Sequence, residues 1–296
     1  MMLDTTSPGE VHRGVDSIQS LLAELVLFRA VGHRLRRYGR ARDGGYVMVE
    51  EATPGPLYSF GIGDDVSFEL AFAEAHDVPV YLHDPTVTGP PARHPRFVFQ
   101  RRGLGAGRAR WLRELVGVGQ SLTYALDPWL SPNPARWSLR LLPIVPVDPL
   151  RRVVERRGDL ARRDLWLKID VEGAEYDALL DTPAEVLACF RQIALEVHGV
   201  GVATAAPLAR QVAMMRHLNA GHALVHAHFN NFGDIVSVEG RPVPTVLELT
   251  WLRRDPGLAF EPATEPLPGP LDHANTRTRP DRPLDFWPCP GAMGRP

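Results

Sequence analysis

One stretch, Leu165 to Glu175, limits what this chain can fold into more than any other. Leu165, Trp166, Leu167, Lys168 and Ile169 form a short apolar run with aromatic and β-branched members, the signature of a buried strand. Asp170, Glu172 and Glu175 then surround Gly173, and Ala174, Ala178, Leu179 and Leu180 recur at helical spacing. The stretch therefore reads as strand, tight turn, helix. Asp170 falls at the strand's carboxyl end and Glu172 in the turn, on the edge where open α/β sheets bind ligands. Lys168 is the only lysine of the chain; the other 32 of the 33 basic residues are arginine. Period-two alternation places it on the face of Asp170. A buried ion pair explains it, and so does a compact cation that keeps a catalytic carboxylate charged.

Strand and helix signals alternate on both sides of this stretch. A helical pattern covers 15–30, with Asp16 or Ser17 as N-cap. Gly44-Gly45 precedes a short strand over 46–49, and a second strand runs from Leu57 into Gly61-Ile62-Gly63-Asp64-Asp65 and a helix over 66–76. Strands follow over 78–83, ending at Asp84-Pro85, and over 96–100, leading into Gly103-Leu104-Gly105. Further on come a helix over 184–189, a strand over 192–197 that ends at His198, and a helix over 206–219. Strands over 223–228 and 245–251 are separated by a turn at Glu239-Gly240. Such alternation predicts a mostly parallel sheet with helices on both faces. Residues 1–42 form an N-terminal helical segment and 43–254 the main domain. Within it, 111–149 has no periodicity but holds Trp111, Trp129 and Trp137, which suits a cover over the sheet's rim. From Asp255 onward, 10 of the 28 prolines fall in 42 residues, so 255–296 is expected to be extended rather than regular.

Composition narrows the function. The net charge of -2 leaves no electrostatic footprint for nucleic acid, and the arginine groups at 34–42 and 151–157 read as solvated helix and loop faces. No run reaches the ~18 apolar residues of a membrane span. No leader pattern is visible, and two cysteines, Cys189 and Cys289, build neither a disulfide framework nor a zinc site. A cytoplasmic protein without a membrane partner is the expectation.

Gly61 and Gly63 end one strand and open a helix, where a backbone can approach a ligand closely and a helix N-terminus adds positive charge. Asp84 ends the next strand about 20 residues on, the position of a ribose-binding carboxylate. The third glycine of the dinucleotide fingerprint is missing, and Asp64-Asp65 stands there instead. Two acids repel a pyrophosphate. A sulfonium with an amino-acid end tolerates them.

Six strings, taken in order, carry a resemblance: Asp43-Gly44-Gly45-Tyr46, Tyr58 to Gly63, His83 to Thr86, Leu167 to Glu175, His228 to Asn231, and Pro244 to Thr250. Together they resemble the FkbM-type methyltransferases over roughly 43–254. The resemblance implies a class I, Rossmann-like S-adenosylmethionine fold, with a seven-stranded, mostly parallel sheet that includes one antiparallel strand. It implies that Gly61 and Gly63 flank the methionine part of the cofactor, Asp84 the ribose and Gly103-Leu104 the adenine. Asp64 and Asp170 are further expected cofactor contacts, with Asp170 and Glu172 projecting toward the methyl group from the strand's carboxyl end. The Trp- and Pro-rich insert and the proline-rich tail depart from the pattern.

The remaining polar residues at strand ends are Glu196, His198, His226, His228, Asn230 and Asn231. Methyl transfer to oxygen needs a base, and His198 leads because it follows a strand directly. Asp170, Glu172 and His198 are the expected reacting centre. Carboxylate, imidazole and amide oxygen also make a possible divalent-metal set, although imidazole suits softer ions than Mg²⁺. The expected activity is O-methylation of a small-molecule acceptor, a sugar or natural product. Two rival readings are a nicotinamide-dependent oxidoreductase on a similar sheet and a binding module without chemistry, in which His198 and Glu172 would be dispensable.

Overall fold

The computed structural model describes residues 17–106, 146–202, 206–285 and 287. In chain order the elements begin with α1 (Ile18–Glu24), β1 (Phe28–Ala30), β2 (Leu35–Tyr38), β3 (Tyr46–Val49), β4 (Leu57–Phe60), α2 (Ser67–Ala75) and β5 (Val80–His83). Next come β6 (Phe97–Gln100), β7 (Gly103–Leu104), β8 (Val147–Asp148), α3 (Leu150–Arg157), β9 (Leu165–Ile169), α4 (Glu175–Leu180), α5 (Ala184–Leu187) and β10 (Phe190–His198). The last are α6 (Leu208–Asn219), β11 (His222–Phe229), β12 (Ile235–Val238), β13 (Arg241–Pro244), β14 (Val246–Arg253) and β15 (Phe260–Pro262).

Seven strands make the central sheet in the order β11-β14-β10-β9-β4-β5-β6. β14 is antiparallel to both its neighbours, and the other six strands run one way. This is the α/β, Rossmann-like methyltransferase arrangement. The reversal of β14 follows from the hairpin β12–β13 before it, whose turn at Glu239 and Gly240 takes positive φ at both positions.

Side-chain alternation divides the core between the two faces. Leu165, Leu167 and Ile169 of β9 join Tyr58, Phe60, Ile193, Leu195 and Val197 in a cluster under α1, α3, α4, α5 and α6. Trp166 joins Leu57 and Ala194 in a second cluster under α2 and the β2–β3 hairpin. Lys168 pairs in register with Ser59 of β4 and Ala194 of β10 and so shares this second face. The hairpin is stitched to the sheet by side chains: Gln192 exchanges two hydrogen bonds of 2.8 Å with the Val49 backbone, and Thr250 Oγ1 donates to the Val47 carbonyl at 2.7 Å.

Several expectations need correction. The helix expected over 15–30 stops at Glu24, capped by Ser17, and residues 28–30 form β1 instead. Its partner is β15, so the proline-rich tail, expected to lack regular structure, contributes a strand. Arg36 and Arg37, expected on a helix or loop face, belong to β2. The hairpin strands β12 and β13 were not expected; Pro242 and Pro244 mask a strand that pairs along one edge only. The cover expected over 111–149 lies, up to residue 145, outside the described residues. Its end forms β8, paired in parallel with β7.

Candidate active site

β4 and β9 are neighbours, and their carboxyl ends touch. A Cβ on Gly61 would lie 1.6 Å from the Asp170 carbonyl oxygen, so glycine is required there on steric grounds as well as by its φ of 77°. Next door, Gly63 opens onto free space, since a Cβ there would meet nothing within 4 Å. The loop backbone is fixed from two sides. Lys168 Nζ donates to the Gly61 carbonyl at 2.5 Å, and Asp84 Oδ2 accepts from the amides of Ile62 and Gly63 at 2.9 Å each. Asp84 Oδ1 accepts from the amide and the hydroxyl of Thr86, both at 2.6 Å. Four donors fill the roughly four acceptor positions of a carboxylate. Asp84 therefore braces the loop, and the two ribose hydroxyls expected on it would have to displace donors it already holds.

Asp64 is exposed at the mouth of the loop, while Leu104 is 4% exposed and packs into the larger core cluster. Neither is brought near Asp170 by a contact among the described residues.

Asp170, Glu172 and His198, the residues expected at the reacting centre, lie together, and Glu175 and Glu196 join them. His198 Nε2 lies 3.3 Å from Glu196 Oε1, 3.7 Å from Glu172 Oε2 and 3.9 Å from Asp170 Oδ1. Its Nδ1 is 3.4 Å from Glu175 Oε1, an approach too poorly aligned for a hydrogen bond, and that nitrogen is buried without one. Fully buried Glu175 accepts from the amides of Gly173 and His198, both at 2.8 Å, and so ties the turn of β9 to the end of β10. Glu172 stands in the turn at φ 53° with its side chain 74% exposed, the least enclosed of these acids.

Electrostatics reassign the roles. Burial alone would lower the His198 pKa, but Glu175 and Glu196 outweigh it and push it up to about 11. An imidazole held charged at neutral pH is a poor base, so the part expected of His198 does not suit this environment. Burial, reinforced by the Asp170 charge, pushes Glu196 up to about 8. Glu196 therefore changes charge close to neutrality. Tyr46 Oη, from the Asp-Gly-Gly-Tyr string, lies 3.3 Å from both Asp170 Oδ2 and Glu196 Oε2, and Asn230 Nδ2 donates to Glu196 Oε1 at 3.1 Å. Asp170, Glu196 and His198 offer atoms within 4.8 Å of one another, as do Asp43, Glu196 and Glu248.

The other polar residues expected on the rim serve a different purpose. His226 contacts Asp272 at 2.9 Å and His228 contacts Asp281 at 3.3 Å, both acids of the tail. Asn231 donates to the carbonyls of Thr276 and Arg279. His226, His228 and Asn231 therefore anchor the tail, and neither group of candidate metal ligands among the described residues includes them. Sequence reading did not select Tyr46, Glu175, Glu248 or Asn275. Tyr46, Glu175 and Glu248 had a visible signal, lying in strings that carry the resemblance; Asn275 had none.

The strand order, with one antiparallel strand in a seven-stranded sheet, is that of the class I methyltransferase fold. No known family profile matches the chain, and no curated protein does. Among solved structures it is similar to the fibrillarin pre-rRNA processing protein of Methanococcus jannaschii, at 12% identity and a TM-score of 0.30, over 69% of this chain and 67% of that one. The fold assignment rests on the strand order.

Proposed function

We propose that the protein is an S-adenosylmethionine-dependent methyltransferase acting on a hydroxyl of a small molecule, in the manner its resemblance to the FkbM-type enzymes implies. The observation that carries this reading is the meeting of Gly61 and Asp170 at adjacent strand ends, with Glu196 and His198 at the end of the next strand. The glycine loop suits the group, because the open space at Gly63 admits a ligand against bare backbone. S-adenosylmethionine, when bound, supplies an electrophilic methyl group. Glu196, in the ionised form that gains as pH rises towards about 8, takes the hydroxyl proton of the acceptor. Charged His198 lies 3.7 Å from Glu172 and 3.9 Å from Asp170, and Asp170 faces the cofactor.

Calorimetry with S-adenosylmethionine and with NAD tests the cofactor: micromolar binding of the first and none of the second is expected, and the reverse would establish the oxidoreductase reading. Transfer of a labelled methyl group to hydroxylated small molecules then tests the chemistry. Glu196→Gln should lower the chemical step ~10²–10⁴-fold with cofactor affinity nearly unchanged. Full activity in that variant together with loss on chelation would move the activating role from Glu196 to a divalent ion.

A further inference from the structure

The single lysine occupies a position at which its Nζ can touch both strand ends of the candidate site. Lys168 is 4% exposed. Besides its bond to the Gly61 carbonyl, the ammonium lies 3.5 Å from Asp170 Oδ2 and 5.4 Å from the centre of the Tyr46 ring. Below it, Ser59 Oγ donates to buried Glu69 at 2.5 Å. Burial opposes the ammonium charge, but Asp170, Glu69 and Glu196 outweigh it and raise the Lys168 pKa, so the group stays a cation.

We infer that Lys168 is the positioning residue of the cofactor loop: it turns the Gly61 carbonyl inward to the sheet while Asp84 holds the next two amides from the opposite side, and it fixes the Asp170 carboxylate against the same loop. The inference rests on the methyltransferase reading. Its chemistry explains why an otherwise all-arginine chain keeps a lysine. A guanidinium is a planar fork of five donors, whereas the Lys168 ammonium is a compact point charge that meets the Gly61 carbonyl at 2.5 Å and Asp170 Oδ2 at 3.5 Å. A neutral side chain here would leave the Gly61 carbonyl without this donor and the Asp170 charge without its nearest cation.

The test is the affinity of S-adenosylmethionine and of S-adenosylhomocysteine for wild type, Lys168→Met and Lys168→Arg, each checked for folding by circular dichroism and Tm. Loss of the loop's anchor weakens both ligands. Loss of the positive charge also favours the sulfonium over its neutral product, so the two affinities separate. In Lys168→Met, S-adenosylhomocysteine affinity should fall at least 10-fold and clearly further than that of S-adenosylmethionine. Lys168→Arg should keep the wild-type ratio of the two, at affinities between those of the other proteins. Wild-type affinity in folded Lys168→Met overturns the inference. An equal loss of both ligands that follows a fall in Tm also overturns it, as the mark of a merely structural lysine. Should Lys168→Met fail to fold, an altered ratio in Lys168→Arg overturns it and an unchanged ratio with reduced affinity supports it. Absence of binding by wild type is a separate result and would sink the methyltransferase reading instead.

Discussion

Glu196 and His198 stand two residues apart on β10, and the fold makes both hold their protons more tightly than in an unfolded chain. For Glu196 the cause is burial, which favours the neutral acid, with the charges of Asp170 and Glu248 adding to it. For His198 it is the ring of carboxylates, which overrides burial. Between about pH 4.5 and 8 the folded state keeps a proton on Glu196 that the unfolded chain has lost. The same holds for His198 between about pH 6.5 and 11. Stability falls wherever the folded state binds more protons, so both groups make the protein less stable as pH rises. The stabilisation from His198 is complete below about pH 6.5 and gone above about 11. Two measurements follow. Carboxyl ¹³C titration should show a step near pH 8 that is absent in Glu196→Gln, and urea unfolding should show that variant gaining on wild type from about pH 4.5 to 8. A step near 4.5 in the wild type would remove Glu196 from its role. The sequence had pointed to His198 because it ends a strand. Position was readable there, but protonation depends on neighbours from other strands.

At the scale of elements, the β2–β3 hairpin and the C-terminal arm close the site's face. The hairpin brings Tyr46 to Asp170 and Glu196. The arm brings Asn275, 3% exposed, whose Nδ2 donates to Asp43 Oδ1 at 3.2 Å and also reaches Glu248. Its end is secured by Trp287, 8% exposed in the larger core cluster, with Nε1 donating to the Leu25 carbonyl at 2.8 Å. Proline content rules out a helix for the arm but not anchoring, which here comes from side chains and from the short β15. Trp287→Ala should therefore cost about 3 kcal/mol, the low end for a large buried aromatic. Phe232→Ala, at a side chain 56% exposed, should stay within about 0.5 kcal/mol in the same urea titrations. Equal effects at the two positions would mean that the arm is not part of the folded core.

For the molecule as a whole, the Gly61–Gly63 loop is supported by three strands: β4 carries it, β5 leads into Asp84 and β9 supplies Lys168. A ligand that binds only this assembled state stabilises the entire fold. S-adenosylmethionine at 100 times its Kd should add about 2.7 kcal/mol, which raises Tm by about 4 °C in a chain of this size. A Tm unmoved at that excess would show that binding is not linked to the fold described here.

The sequence alone determined the order of the seven strands of the central sheet and of helices α2, α4, α5 and α6, because each follows from a local period of apolar residues, whereas β1, β2, β12, β13 and β15 carry no such period. It also determined where the backbone must turn sharply, since Gly61 at φ 77° and Gly173 at φ 100° occupy conformations that other residues adopt only with strain. The class of sheet followed from that alternation, and the positions of Asp170, Glu172 and His198 followed from strand ends. Only the tertiary structure decided which polar groups meet. Tyr46 and Glu196 are 150 residues apart in the chain, and Asp43 and Asn275 are 232 apart. Ionisation and hydrogen bonding depend on distances of a few ångströms between such groups. No local pattern encodes those distances, so the charge on His198, the proton on Glu196 and the bracing role of Asp84 came from the packing of distant strands.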